Sequence, residues 1–268
     1  MSQRPLVFII DIDGTLIGNV SPQLCIYDLK QTSNLPLRYS FKELFQRFDQ
    51  GLLRPYFDTF YKSTKRRLPN AEFYVYTASD DRWGLFITAA LEKHLGIRFN
   101  RPVFTRKHCF SSGGSITKSL SNILPTIKRS LARKYGKNLD LDNRVMVIDN
   151  SCVFPPNEKP QHMVCPSYSC SVPENLPAII DERTYTQHRA TIEQTIRKYI
   201  PALANLSMPS YKSFEVAYYT YYINALRQCK TQDRFWFFLA RLMEIKNITA
   251  LSPRAIAYMN NKLSKRIS

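Results

Sequence analysis

The sequence predicts an α/β protein, a three-layer fold with helices on both faces of a central parallel sheet, followed by an all-helical extension. Three observations carry this. Leu6, Val7, Phe8, Ile9 and Ile10 form an unbroken apolar run, the pattern of a strand buried on both faces. Two further apolar runs, in residues 71–79 and 144–151, also end in polar residues, and helix-period segments lie between the runs. From about Glu182 onward the pattern is helical only.

Taken in order, the first strand ends at Asp11-Ile12-Asp13-Gly14-Thr15-Leu16, where Gly14 allows the turn that carries the chain away. Residues 17–53 read as a loop and then an amphipathic helix near Phe41 to Phe48. Arg54-Pro55-Tyr56 opens another helix, proline being suited to a first turn. Ala71-Glu72-Phe73-Tyr74-Val75-Tyr76-Thr77-Ala78-Ser79 is the second strand with its exit, and residues 80–97 place Trp83, Phe86, Ile87, Leu91 and Leu95 at helical spacing. Ser111-Ser112-Gly113-Gly114-Ser115 reads as a hairpin tip in preference to a phosphate-binding nest. A helix is expected from Leu120 to Tyr135, a third strand in Arg144-Val145-Met146-Val147-Ile148-Asp149, and a weak strand at Met163-Val164. Four helices follow, over about 186–199, 214–229, 234–245 and 253–264, and the aromatic cluster Tyr218 to Tyr222 with Phe235 to Phe238 requires burial on nearly every side.

Ligands of open α/β sheets bind at the carboxyl ends of the strands, which is where Asp11 falls. Asp13 lies two residues on, and two carboxylates so placed suit a hard divalent cation. Thr77 and Ser79 offer hydroxyls to a phosphoryl oxygen, Asp149 and Asn150 add oxygen ligands, and Lys118 in Ile116-Thr117-Lys118-Ser119-Leu120 supplies positive charge. This is the equipment of phosphoryl transfer.

In this order the motifs resemble the haloacid dehalogenase (HAD) superfamily of aspartate-nucleophile phosphatases, whose first signature is Asp-x-Asp-x-Thr after an apolar strand. Tyr76-Thr77-Ala78-Ser79, Val147-Ile148-Asp149-Asn150-Ser151, Arg54-Pro55 and Thr117-Lys118-Ser119-Leu120-Ser121 are similar to its NLI-interacting-factor-like, or FCP/SCP, branch over about residues 4–170. The resemblance implies a HAD-like Rossmannoid fold in a domain spanning 1–180, leaving 181–268 as a basic, aromatic-rich helical extension. It implies that Asp11 attacks phosphorus, that Asp13 protonates the leaving group and then activates water, and that Thr77 and Lys118 hold the phosphoryl oxygens while Asp149 orients Lys118. It further implies Mg²⁺ held by Asp11, the main-chain carbonyl of Asp13, and Asn150. Two positions depart from the branch: Gly14 stands where an acidic residue is common, and Lys118-Ser119-Leu120 replaces Lys-Asp-Leu, leaving Lys128 as the second choice for the lysine.

The formal net charge of +17 is uneven: residues 101–140 contribute +8 and residues 206–268 contribute +7. Such a field attracts phosphorylated acidic polypeptides, nucleic acid or anionic membrane. Cys25, Cys109, Cys152, Cys165, Cys170 and Cys229 include no Cys-x-x-Cys pair, and no secretory signal precedes the first strand, so buried free thiols and a reducing compartment, cytoplasm or nucleus, are expected. No apolar run is long enough for a transmembrane helix.

Three functions fit. The first is a Mg²⁺-dependent phosphoserine or phosphothreonine phosphatase working through an aspartyl phosphate. The second is a structural or assembly protein that uses the fold for protein binding, with a compact basic form that would also suit a large DNA virus, its virus factory or its virion. The third is a nucleic-acid 3′-end phosphatase. The phosphatase readings require a phosphorylated substrate. The helical extension is expected either to bind another protein or to pack on the catalytic domain.

Overall fold

The computed structural model describes residues 4–31, 33–37, 39–112, 115–151, 154–228 and 232–267. The elements in chain order are β1 (Leu6–Ile10), α1 (Ser21–Gln31), α2 (Phe41–Arg47), α3 (Phe57–Arg67), β2 (Ala71–Val75), α4 (Asp81–Leu95), β3 (Phe110–Ser112), β4 (Ser115–Thr117), α5 (Leu120–Tyr135) and β5 (Val145–Asp149). They continue with β6 (His162–Val164), α6 (Leu176–Ile179), α7 (Glu182–Tyr199), α8 (Tyr211–Gln228), α9 (Phe235–Ile245) and α10 (Pro253–Ile267). The chain divides into two compact units, Met1–Leu16 with Arg54–Tyr168 and Gln232–Ser268, and Ile17–Leu53 with Ser169–Thr231.

The first unit holds a parallel sheet in the order β2-β1-β5-β6. β1 is central because all five of its side chains are apolar and buried, so it tolerates a neighbour on each edge and a layer on each face. Alternate residues sort to opposite faces. Val7, Ile9, Tyr74, Val145 and Val147 meet Ile123, Ile127 and Leu131, the apolar stripe of α5. On the other face Phe8 stacks on Phe73 with ring centroids 4.9 Å apart, and Phe60 of α3 and Trp236 of α9 close over them at 5.0 Å from each other. The hairpin β3-β4 pairs antiparallel, as its sequence predicts, and its two tip glycines lie outside the described residues.

In the second unit the chain from residue 17 is not the loop expected: α1 occupies Ser21–Gln31 and packs on α7. Its start is set locally, by Pro22 in the first turn and by the Asn19 side chain accepting the Ser21 N–H at 3.0 Å, while its apolar stripe is only Cys25, Ile26 and Leu29, too short to stand out from sequence. Glu174, fully buried, collects hydrogen bonds from Gln23 Nε2 and the Tyr39 hydroxyl, both at 3.0 Å, and an ion pair from Arg47 at 2.9 Å. These contacts give the buried carboxylate the partners it needs.

The aromatic cluster divides: Tyr218, Phe235 and Trp236 are buried, whereas Tyr219 on α8, beside Val216 and Ile223, and Phe237 on α9 are exposed. One expectation is corrected here. Cys165 is a buried free thiol, but Cys170 is disulfide-bonded, which sequence spacing alone does not reveal. No helix among the described residues is long and apolar enough to cross a membrane.

Candidate active site

Ile10 of β1 pairs with Val75 of β2 on one side and Ile148 of β5 on the other, so the residues leaving these strands emerge side by side at the carboxyl edge of the sheet. Asp11, Thr77 and Asp149 are therefore neighbours by register, before any side-chain interaction is considered. Lys118 reaches them from the segment between β4 and α5. Its ammonium donates to Asp11 Oδ1 at 2.5 Å and to Asp149 Oδ2 at 2.7 Å, and all three side chains are buried. Lys128, the second choice, is exposed on α5.

Burial of this group dominates its electrostatics. It pushes the Asp11 carboxyl up to about 7, with Asp149 and Asp13 adding to the rise and Lys118 opposing it. Burial works against the charge on Lys118, yet Asp11 and Asp149 outweigh it and hold the ammonium above its ordinary value. Lys118 stays charged and belongs to both carboxylates.

Asp13 sits across the turn. Its Oδ2 accepts from Ser79 Oγ at 2.8 Å and Thr77 Oγ1 at 3.2 Å, whereas Oδ1 is buried without a hydrogen-bond partner. Burial raises its carboxyl above the ordinary range, and the two hydroxyls only partly offset this. Ser79, noted in the sequence as a possible phosphate donor, instead makes the shorter bond to Asp13, a placement set by the turn in which the Ser79 N–H returns to Thr77 Oγ1 at 3.1 Å.

Asn150 follows Asp149. Its N–H donates to Thr15 Oγ1 at 3.1 Å, the Thr15 hydroxyl donates to Asn150 Oδ1 at 3.2 Å, and Asn150 Nδ2 donates to Ser167 at 3.2 Å. Gly14 is required beside it: φ is +76°, and a Cβ there would stand 2.6 Å from Asn150 Nδ2. That packing accounts for the glycine where the resemblance leads one to expect an acidic side chain. Among the described residues no cluster of three Asp, Glu, His or Cys side chains is grouped to hold an ion. The expected ligand set needs none, since it combines one carboxylate, one amide oxygen and one main-chain carbonyl, an all-oxygen set of the kind hard divalent cations take.

Two supporting residues were not assigned roles from sequence. Arg54, fully buried, forms a bidentate pair with Asp233 (both contacts 2.8 Å), lies 4.9 Å from the Phe235 ring centroid, and directs Nη1 toward the Thr15 carbonyl. Its Arg-Pro signal was visible, but its partner is 179 residues away. Glu158 accepts from Ser119 Oγ and Leu120 N, each at 2.7 Å, and from Ser121 N at 3.2 Å, fastening the start of α5 directly after Lys118. Nothing in local sequence links Glu158 to that helix.

A sequence model of the NLI interacting factor-like phosphatase family matches residues 6–178. No curated protein sequence matches the chain. Among solved structures, the chain is similar to a variant of the fission yeast RNA polymerase II CTD phosphatase Fcp1 bound to beryllium fluoride, at 14% identity and a TM-score of 0.44, over 98% of this chain and 66% of that one. A second structure of Fcp1, described as an essential RNA polymerase II CTD phosphatase, matches at 15% identity and a TM-score of 0.43 over the same shares. The chain thus spans just under two thirds of the length of these structural relatives.

Proposed function

The chain belongs to the NLI interacting factor-like phosphatase family, and we propose that within it the protein is a Mg²⁺-dependent phosphoserine or phosphothreonine phosphatase that works through an aspartyl phosphate. The observation that carries this reading is the pairing of Lys118 with Asp11 at 2.5 Å at the sheet edge, beside a second carboxyl, Asp13, whose Oδ1 is buried and uncommitted.

On this reading a carboxylate oxygen of Asp11 attacks phosphorus and the bond to the leaving oxygen breaks. Asp13, whose carboxyl burial pushes above its ordinary range, gives a proton to the departing alkoxide. Asp13, now ionised, then takes a proton from a water that attacks the aspartyl phosphate, which releases inorganic phosphate and restores Asp11. An ammonium has three N–H donors, of which Asp11 and Asp149 use two, so one remains for a phosphoryl oxygen. Thr77 supplies a second donor by turning from Asp13, which Ser79 continues to hold. Asp11, Asn150 and the main-chain carbonyl of Asp13 fit Mg²⁺ as an all-oxygen set, and the ion, when bound, offsets the repulsion between an anionic nucleophile and an anionic substrate.

The substrate is proposed to be a phosphorylated polypeptide, and the basic surface favours one with acidic neighbours. Residues 1–180 carry the chemistry in this proposal and 181–268 are an addition to it.

Hydrolysis of an aryl phosphate with Mg²⁺, run beside Asp11→Asn and beside EDTA, tests the reading. Loss of turnover in both is expected. An Asp11→Asn protein as active as the parent would overturn the mechanism.

A further inference from the structure

The amino-terminal edge of the same sheet carries a second polar feature, made of cations instead of carboxylates. Arg4 precedes β1, Arg67 is the last residue of α3, and Arg144 precedes β5. Together with Asn70, Asn247 and Thr249 they line a cavity of about 370 Å³, and among the described residues that line it none is a carboxylate.

Each guanidinium has five N–H donors and no acceptor. Arg4 Nη1 donates to Asp140 at 2.8 Å and Arg144 Nη1 to the Thr249 carbonyl at 3.0 Å. Arg67 Nη1 is buried and has no hydrogen-bond partner. Glu244, the carboxylate that acts on Arg67 through space, is already paired with Arg241 at 3.1 Å. A buried donor on a cation without an acceptor is costly, and Arg67 and Arg144, two like charges on one cavity, repel, whereas the Arg4 charge is offset by Asp140. An anion in the cavity would relieve both.

We infer that this cavity is a binding site for a phosphate oxyanion, in which Arg67 and Arg144 supply paired N–H donors and the more exposed Arg4 adds charge. The planar fork of an arginine matches two oxygens of a phosphate at once, so two such forks with flanking amides and a hydroxyl suit a tetrahedral dianion. The five residues of β1 separate this edge from the carboxylates by about 16 Å, at roughly 3.3 Å per residue, so one phosphoryl group does not reach both. The oxyanion comes either from free inorganic phosphate or from a phosphorylated residue of a polypeptide.

Tungstate, a tetrahedral dianion with strong anomalous scattering, is soaked into crystals of the full chain. A peak within hydrogen-bonding reach of Arg67 and Arg144 is expected; its absence there, whether or not the ion appears beside Lys118, overturns the assignment. In solution, the full chain, Arg67→Gln and Arg144→Lys are titrated calorimetrically with inorganic phosphate and, separately, with a peptide carrying a non-hydrolysable phosphonate in place of phosphoserine. The parent should bind an equivalent beyond that of the carboxylate site, and both variants should lose it. Uptake of that equivalent from phosphate alone or from peptide alone identifies the source. Its absence with both probes, or its retention in both variants, overturns the site. Aryl phosphate hydrolysis by the variants should stay within about twofold of the parent, because the two edges do not share partners. Failure of this inference thus leaves the phosphatase reading intact, and the reverse holds too.

Discussion

Lys118 is shared between two buried carboxylates, so its removal does more than take one positive charge from the sheet edge. In Lys118→Met, Asp11 and Asp149 face each other without a counter-charge, and unpaired buried charge of this kind costs about 3–5 kcal/mol. Denaturant unfolding should register that loss and aryl phosphate turnover should fall to background; an unchanged unfolding midpoint would mean that the bridge is energetically idle. Asp13 allows a finer test. If it protonates the leaving group, Asp13→Asn should slow an alkyl phosphate by about 10²–10⁴-fold and a nitrophenyl phosphate far less, since the latter's leaving group needs little protonation. Equal losses on both substrates would remove Asp13 from that role. Gly14→Ala combines a left-handed backbone with a Cβ on the Asn150 amide, and we expect about 1–3 kcal/mol of destabilisation together with weaker activation by Mg²⁺. A stable Gly14→Ala protein with the parent's Mg²⁺ dependence would show that Asn150 moves aside without consequence.

At the scale of elements, α5 links the site to the charged surface. Its inner stripe rests on the sheet, its first turn is fastened by Glu158, and Lys128, Arg129 and Arg133 are exposed on its outer side. Reversing those three charges to Glu should weaken an acidic phosphopeptide substrate and flatten its salt dependence while leaving aryl phosphate kinetics unchanged. Loss of both activities together would place the effect in the fold instead. The other end of α5 is tied to β2 through Glu72, whose carboxylate accepts from Lys134 at 2.8 Å, the Tyr135 hydroxyl at 2.6 Å and Asn100 at 3.0 Å. Burial works to raise the Glu72 carboxyl, but these donors prevail and hold it below its ordinary value. A depressed carboxyl stabilises the fold above the unfolded glutamate range, near pH 4.3, and this stability fades as pH falls through the lower folded value. The thermal midpoint of the parent should therefore drop more steeply than that of Glu72→Gln on acidification below about pH 4.3, and parallel curves would contradict the assignment.

Across the whole molecule, legibility followed the range of the signal. β1, β2 and β5 were plain because each is an apolar run ending in a polar residue, and α5 was read to its terminal residues. Asp11, Asp13, Thr77, Lys118, Asp149 and Asn150 were read from motifs within a few residues of strand ends; the register of three parallel strands brings the others together, and Lys118 joins them from the segment between β4 and α5. What escaped depends on long separations: Arg54 with Asp233, Glu158 with the start of α5, and Glu174 with Gln23, Tyr39 and Arg47. α1 escaped because tertiary packing, more than its own periodicity, makes it helical. The same long separations bear on dissection of the chain. A fragment ending at residue 180 keeps every site residue but loses Asp233 and Trp236, leaving Arg54 as an unpaired buried cation and uncovering Phe57 and Phe60. We expect it to aggregate or to melt well below the full chain, and a soluble, active fragment of that length would show the aromatic contact to be dispensable.

The pairing of residue 54 with residue 233 also has a meaning in time. A ribosome delivers β1 and its carboxylates first, at about 5–20 residues per second, yet the indole that roofs the aromatic face of the sheet lies more than two hundred positions later. During synthesis the nascent sheet therefore waits with that face uncovered, open to chaperones and to neighbouring chains. The sheet can close on that face only once translation has passed Trp236.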